Sequence, residues 1–436
     1  RHLKVYPELF KNAGYAVAST GKAWGPGEYK INGRQHNPAG ELMGKRKFDK
    51  KDLPATGIST KNYAENFRDF LNERPEGTPF AFWLGTHEAH LPIEYKSGVR
   101  NGKKLKDVVL PAFYPDTEEF RHALLDYAVE VEWFDRVIGQ AVEVLREAGE
   151  LENTLIVVTA DNGMALPRAK TNNYEYGVHM PLVISWQGKV KGNRTIDDMV
   201  SLIDLAPTFL EAANIPVPQE MTGRSLLNIL GSTKEGLVDA SRTYVLSGRE
   251  RHSAVRKDNL SYPIRAMHTP SHTYIWNVKP ERTPPDGYHS GKEGALGAEI
   301  KKAGLWELHY GFRPQDELYR RVDNGDSFEN LAKNPEYKGL LNKLKQTLQG
   351  DLKAGGDARM LGFGDIWESY PRYGYIPAKH GGFAQSGVYN PKYVESARQG
   401  MKTAGIENDS YFERTKLPAP PRKVKNKKAT KKVKKK

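Results

Sequence analysis

Four short apolar runs, each closed by a polar or glycine-rich loop, constrain the fold of this chain more than any other feature. They are Gly14 to Thr20, Pro79 to Gly85, Thr154 to Ala160 and Pro181 to Trp186. Runs with so little polar alternation read as buried strands, and Thr154 to Ala160 in particular fits the middle of a parallel sheet covered on both faces. Helical periods lie between them. From Asp126 to Ala148 the apolar residues Tyr127, Val131, Phe134, Ile138, Ala141 and Leu145 alternate spacings of four and three, and Gly149 fits the helix stop. Shorter helices are predicted over 62–72 and 201–213, the second with Pro207 near its first turn. This alternation predicts an α/β fold with a mostly parallel sheet flanked by helices. In such sheets chemistry collects in the loops after strand C-termini.

Beyond residue 235 the pattern changes to shorter β-like pieces (243–247, 263–268 and 273–277) with one later helix over 337–348. The reading is an α/β domain over 1–235, a smaller α+β subdomain of antiparallel strands over 236–350, an irregular extension over 351–413 and a disordered tail over 414–436. That tail holds twelve Lys or Arg and no acid, against a net charge of +13 for all 436 residues. The body is therefore nearly neutral, and the basicity belongs to a segment that can contact polyanions without forming a dedicated nucleic-acid site. With no cysteine, disulfides, thiolate metal sites and cysteine nucleophiles are excluded from these residues. No run of about eighteen apolar residues is present to span a membrane. The chain lacks a Walker loop, a Gly-x-Ser-x-Gly elbow and a His-Glu-x-x-His, so neither a nucleotide nor a zinc-protease reading has support.

Three loops carry candidate chemistry. Asp161 and Asn162 follow a hydrophobic strand and offer two hard oxygen ligands suited to calcium or magnesium, although such an ion takes six or more. On these two residues alone an Asx-turn after a strand is the more economical reading. Lys22 and Lys170 lie after two different strands and could converge on one sheet edge, where ammonium groups would stabilise charge growing on a sulfate or phosphate oxygen. His87 and His90 flank the loop after the second strand. Either imidazole could bind an oxyanion or protonate a leaving group. For His87 a strand-capping role is preferred.

Taken in order, NAGYAVASTGKAWGPG, PFAFWLGTHEAHLP, DYAVEVEWFDRVIG, LENTLIVVTADNG, YEYGVHMPLVISW, VSLIDLAPTFLEAANI, TGRSLLNIL and DELYRRVDNGDSFENLA resemble the sulfatase family over about residues 6–335. Within it, ADNGMALPRAKTNNY and SYPIRAMHT most resemble the heparan N-sulfatase branch. The resemblance implies an alkaline-phosphatase-like fold, hydrolysis of sulfate esters or sulfamates on a sulfated glycan, one bound calcium and a periplasmic or secreted location. Asp161 and Asn162 match the family's downstream metal ligands, Lys22 its Gly-Lys lysine, His90 the His of its Pro-His-x-Pro-like loop, and Lys170 its later sulfate-binding cation.

Two departures stand out. The family carries a His shortly after Gly-Lys, where this chain has Trp24 and Gly25, so that hydrogen bond is absent or comes from His36 or His87. The family's formylglycine, made from Cys or Ser in a Cys/Ser-x-Pro-Ser/Ala-Arg motif, has no counterpart here. The expectation is a chain lacking an upstream segment that bears the nucleophile, and inactive without it. Two alternatives stay open: a phosphodiesterase of the alkaline phosphatase superfamily, and a non-catalytic protein that binds sulfated polysaccharide.

Overall fold

Strand β1 (Ala16–Gly21) lies at the centre of a three-stranded parallel sheet, between β2 (Glu41–Met43) and β3 (Phe80–Gly85). The structure is a computed structural model that describes residues 4–24, 29, 34–252, 256, 258, 260–284, 294–321, 328–370 and 390–406. Small side chains let β1 sit inside the sheet. Ser19 and Thr20 are fully buried, and their hydroxyls donate to Glu41 O at 3.4 Å and Met43 O at 2.8 Å, so neither is left unsatisfied. Ala16 pairs with Phe80 and Gly21 with Gly85, which brings β1 and β3 to the same edge.

Two helices cover one face of this sheet. Helix Tyr63–Glu73 starts at Asn62, whose side chain accepts from Glu65 N at 3.1 Å, and it buries Ala64, Phe67, Phe70 and Leu71. The long helix Glu118–Glu147 is capped by Thr117, with Glu118 and Glu119 in its first turn and Arg146 in its last, as the helix dipole favours. It begins eight residues before the stripe read from Asp126. Its first turns bury Phe120 in a different cluster, against Phe113, Tyr114, Leu166, Ile300 and Tyr310. Further along, Val144 and Leu145 join Ala18, Met43, Phe67, Phe70 and Leu151, with Phe80, Phe82 and Leu84 packed alongside. Each large apolar side chain buried there contributes roughly 1.5–3 kcal/mol.

The run 154–160 departs from expectation. It forms β4 (Ile156–Thr159), which pairs antiparallel with β5 (Leu182–Ser185) in a two-stranded sheet, and its residues are half-buried. An apolar run reports burial and says nothing about the direction of its partner; the turns between 160 and 181 fold the chain back on itself. Among the described residues the parallel strand pairing lies in β1, β2 and β3, with one isolated parallel bridge between Ile196 and Gly236.

The second half holds an antiparallel meander, as predicted, of β6 (Val245–Arg249), β7 (Ile264–His268), β8 (His272–Asn277) and β9 (Asp316–Arg320). Helix Lys338–Ala354 lays Leu344 and Leu348 on Met267, Tyr274 and Leu318. The stretch read as irregular contains helix Pro391–Thr403, whose Ala397 and Met401 pack on Ala358, Phe363 and Ile366. Val394, Ala397 and Met401 are spaced three and four apart, a short stripe obscured by the glycine-rich sequence before it. Gly25 and the tail 414–436 lie outside the described residues. Among the described residues no helix is long and apolar enough to cross a membrane.

Candidate functional site

The ends of β1 and β3 are tied by Lys22 N donating to Gly85 O at 2.6 Å. Gly21 has φ +77°, and a Cβ there would overlap Gly85 O and sit 2.6 Å from Tyr63 Cε1, so only glycine lets the two strands meet this closely. β1 thereby delivers Lys22, β3 the loop 86–92, and β4 the pair Asp161 and Asn162. Lys22 Nζ lies 3.3 Å from Asp161 Oδ2, with both side chains open to solvent. A pair so exposed adds at most about 1 kcal/mol of stability, so its value lies in placing charge rather than in holding the fold.

Lys170 comes from the loop after β4 and, unlike Lys22, is buried, at 7% exposure. The backbone beside it is strained. Arg168 and Thr171 take φ of 66° and 73°, a region that side-chain-bearing residues rarely adopt. Arg168 is anchored from within, its Nη1 donating to Leu308 O at 3.0 Å and its guanidinium lying 4.0 Å from the Tyr174 ring centroid. Burial lowers the pKa of the Lys170 ammonium; Asp161 opposes that shift and Lys22 adds to it. Two ammonium groups and one carboxylate thus lie within electrostatic reach of each other and leave a net positive centre.

In the third loop the histidine held toward this centre is His87. Burial lowers its pKa, Lys61 lowers it further, Glu88 opposes, and Lys22 and His90 also lower it, so the ring is neutral near pH 7. Its Nδ1 lies 3.1 Å from Tyr63 Oη. In the same loop the His90 backbone N–H donates to His87 O at 2.9 Å and its Nδ1 lies 2.7 Å from Leu91 O. The sequence brought both histidines to notice, and the His87 ring lies within electrostatic reach of Lys22. Tyr63 carried no signal of its own, since a helical tyrosine reads as core. At the place of the family's His, Trp24 has a buried Nε1 without a partner, and its ring lies 5.9 Å from the Arg34 guanidinium.

Asp161 and Asn162 supply two oxygen donors for a cation. Among the described residues no group of three or more His, Cys, Asp or Glu could complete a metal site. A calcium ion takes six to eight oxygens, so these residues alone do not fit one, and no step is routed through it.

The family described as Sulfatase matches residues 2–215. The N-sulphoglucosamine sulphohydrolase of Homo sapiens is 29% identical over 253 residues, covering 56% of this chain and 50% of its own length. The ulvan-active sulfatase of Formosa agariphila is 26% identical over 261 residues, covering 57% and 41%. The chain spans about half the length of the curated relatives it matches. A structure solved in complex with its substrate, D-glucosamine-2-N,6-O-disulfate, superposes with a TM-score of 0.55 at 17% identity over 82% of this chain and 84% of that one. The likeness extends the alkaline-phosphatase-like fold of sulfatases to this chain, with its parallel sheet and separate antiparallel sheet. Lys22 comes from the parallel sheet and Asp161 and Lys170 from the loop after β4, and the family's sequence pattern runs through the strands that carry them: the chain carries a sulfatase-family domain over residues 2–215.

Proposed function

We propose that this chain serves the hydrolysis of sulfate from sulfated glycans, as ester or sulfamate, with N-sulfoglucosamine of the heparan type as the favoured unit. The observation that carries the reading is the convergence of Lys22 and Lys170, from separate strands, beside Asp161 and within reach of His87. A tetrahedral sulfuryl group, singly charged in the ester or sulfamate and doubly charged as released sulfate, suits that centre. Lys22 and Lys170 bind its oxygens and stabilise the charge that grows as the S–O or S–N bond breaks. His87 donates a hydrogen bond to the same group. His90, its Nδ1 engaged with Leu91 O, exchanges a proton with the leaving group.

Asp161 and Asn162 would offer two oxygen ligands to a calcium ion, which takes six to eight. The formylglycine motif implied by the family resemblance, Cys/Ser-x-Pro-Ser/Ala-Arg, is not among these 436 residues; they contain no Cys, and Ser261-Tyr262-Pro263-Ile264-Arg265 carries Ile in place of its Ser or Ala. Sulfated glycans lie outside the cytoplasm, which supports a periplasmic or secreted location. The test is sulfate release by the protein expressed from its native gene, on N-sulfoglucosamine and on glucosamine 6-O-sulfate, before and after chelation. Release from the N-sulfated sugar that chelation lowers and calcium restores is expected. Turnover of phosphodiesters with no sulfate release would reject the reading.

A further inference from the structure

Between the segment 50–60 and the stretch that follows the histidine loop lies a cavity of about 540 Å³. That size falls within the roughly 300–1,000 Å³ of pockets that enclose small-molecule ligands, and it exceeds what a lone sulfate group fills. Leu53, Pro54, Ala55 and Ile58 line it with apolar surface, Ala55 and Ile58 each being 4% exposed.

The walls are pinned to each other and to the loop of His87 and His90. Glu94 Oε2 accepts from Thr56 N at 2.7 Å, and Asn101 Nδ2 donates to Pro54 O at 3.1 Å. Thr60 lines the cavity, and its neighbour Ser59 donates its backbone N–H to Glu88 Oε1 at 2.8 Å, one residue from His87. Gly57 abuts the end of the same loop, where a Cβ would lie 2.3 Å from Pro92 O. The cleft is therefore formed before any ligand arrives, on the elements that present the two histidines.

Its rim carries three charges, from Lys50, Glu94 and Arg100. Glu94 is taken up, since its Oε1 accepts from Arg100 Nη1 at 2.7 Å while Oε2 holds Thr56 N. Lys50 is exposed and takes no ion-pair partner among the described residues. One uncompensated ammonium thus stands beside an apolar floor. The C–H face of a pyranose packs on such a floor, and an acid group on the ring meets such a cation.

We propose that this cleft is a second subsite, holding the acidic sugar next to the sulfated unit of a glycan, with Lys50 meeting its carboxylate or sulfate. The sulfated unit rests on the hydrolase reading above; the neighbour rests on the cleft.

The experiment is calorimetric titration of the protein expressed from its native gene. The ligands are N-sulfoglucosamine, a disaccharide joining it to a uronic acid, and that disaccharide reduced at the carboxylate, without and with a sulfate ester on the reduced unit. The wild type should bind the uronate disaccharide at least tenfold tighter than the monosaccharide. Thr56→Trp, at an exposed lining position, puts an indole in the cleft. It should abolish that gain and leave the monosaccharide affinity unchanged, which also shows that the variant is folded. Lys50→Met should weaken the uronate disaccharide roughly threefold, the worth of an exposed charge pair, and leave the reduced, unsulfated one alone. Weakening of the sulfated disaccharide too assigns Lys50 to either acid, and no weakening of any of them overturns its role. Equal wild-type affinity for mono- and disaccharide, or a gain that survives Thr56→Trp, overturns the subsite. Sulfate release measured alongside separates the two readings: a disaccharide gain abolished by Thr56→Trp, without release, keeps the cleft and removes the hydrolase.

Discussion

Lys170 is the side chain on which stability and function pull apart. Its ammonium is desolvated beside a strained backbone and repelled by Lys22, a burden on the fold that Asp161 offsets in part and a bound anion would relieve further. Lys170→Met should lower kcat/KM for sulfate release by about 100-fold, as the loss of a preorganised charge does. The Tm of the same variant should hold or rise in differential scanning calorimetry, whereas a falling Tm would mean that the lysine is structural. The Gly-Lys and Asp-Asn-Gly loops were readable from the chain because each follows an apolar strand. His87 was noticed as well and read as a strand cap; its contact with the Tyr63 hydroxyl, from another helix, is one that no spacing within its own loop reports.

At the level of single elements, the long helix Glu118–Glu147 carries a feature its stripe does not explain. Glu130 points inward, is 1% exposed, and has an Oε1 without a partner. Burial first, and the Glu88 carboxylate second, raise its pKa to about 7. The folded state therefore keeps a proton that the unfolded chain has already released. Stability must fall as pH rises from the ordinary glutamate value toward 7, and level off above it. Glu130→Gln removes that dependence, and the gain at pH 8 is at most on the order of 3 kcal/mol, from about 1.4 kcal/mol per pKa unit. Urea unfolding of both proteins at pH 5 and pH 8 measures it; parallel pH slopes would show that Glu130 ionises freely. The same helix shows what periodicity can deliver. Its stripe was plain from Asp126 onward, whereas the eight residues before it pack on Tyr310 and Ile300, partners more than a hundred and fifty residues away. The direction of β4 was hidden for a related reason, because its pairing is decided by the path of the chain between 160 and 181.

Across the whole molecule, the antiparallel sheet does more than sit beside the α/β part. Glu317 on β9 accepts from Tyr174 Oη at 2.9 Å and Asn277 Nδ2 at 2.6 Å, and also from Tyr319. Arg321 pairs with Glu175 at 2.7 Å, and Asn173 Nδ2 donates to Ser247 Oγ at 2.7 Å. Tyr174 and Asn173 belong to the loop that carries Lys170, so the second sheet braces the anion centre from behind. Glu317→Ala strands buried donors and should destabilise the protein by about 3 kcal/mol. Glu317→Gln should cost less, and an unchanged urea midpoint for both variants would dissociate the sheet from the site. We propose the boundary between these parts near residue 235, with the second sheet and its helix over 236–350.

If Lys22 and Lys170 face one anion, a single sulfated sugar must feel both. Calorimetric titration of N-sulfoglucosamine, a monosaccharide too small to bridge the site and the basic tail, compares the wild type with the Lys22→Met/Lys170→Met double variant. One saturable, salt-dependent site in the wild type, weakened at least tenfold in the variant, is the expected result. Equal affinity in the two proteins would contradict the assignment of these lysines to a sulfate-binding centre.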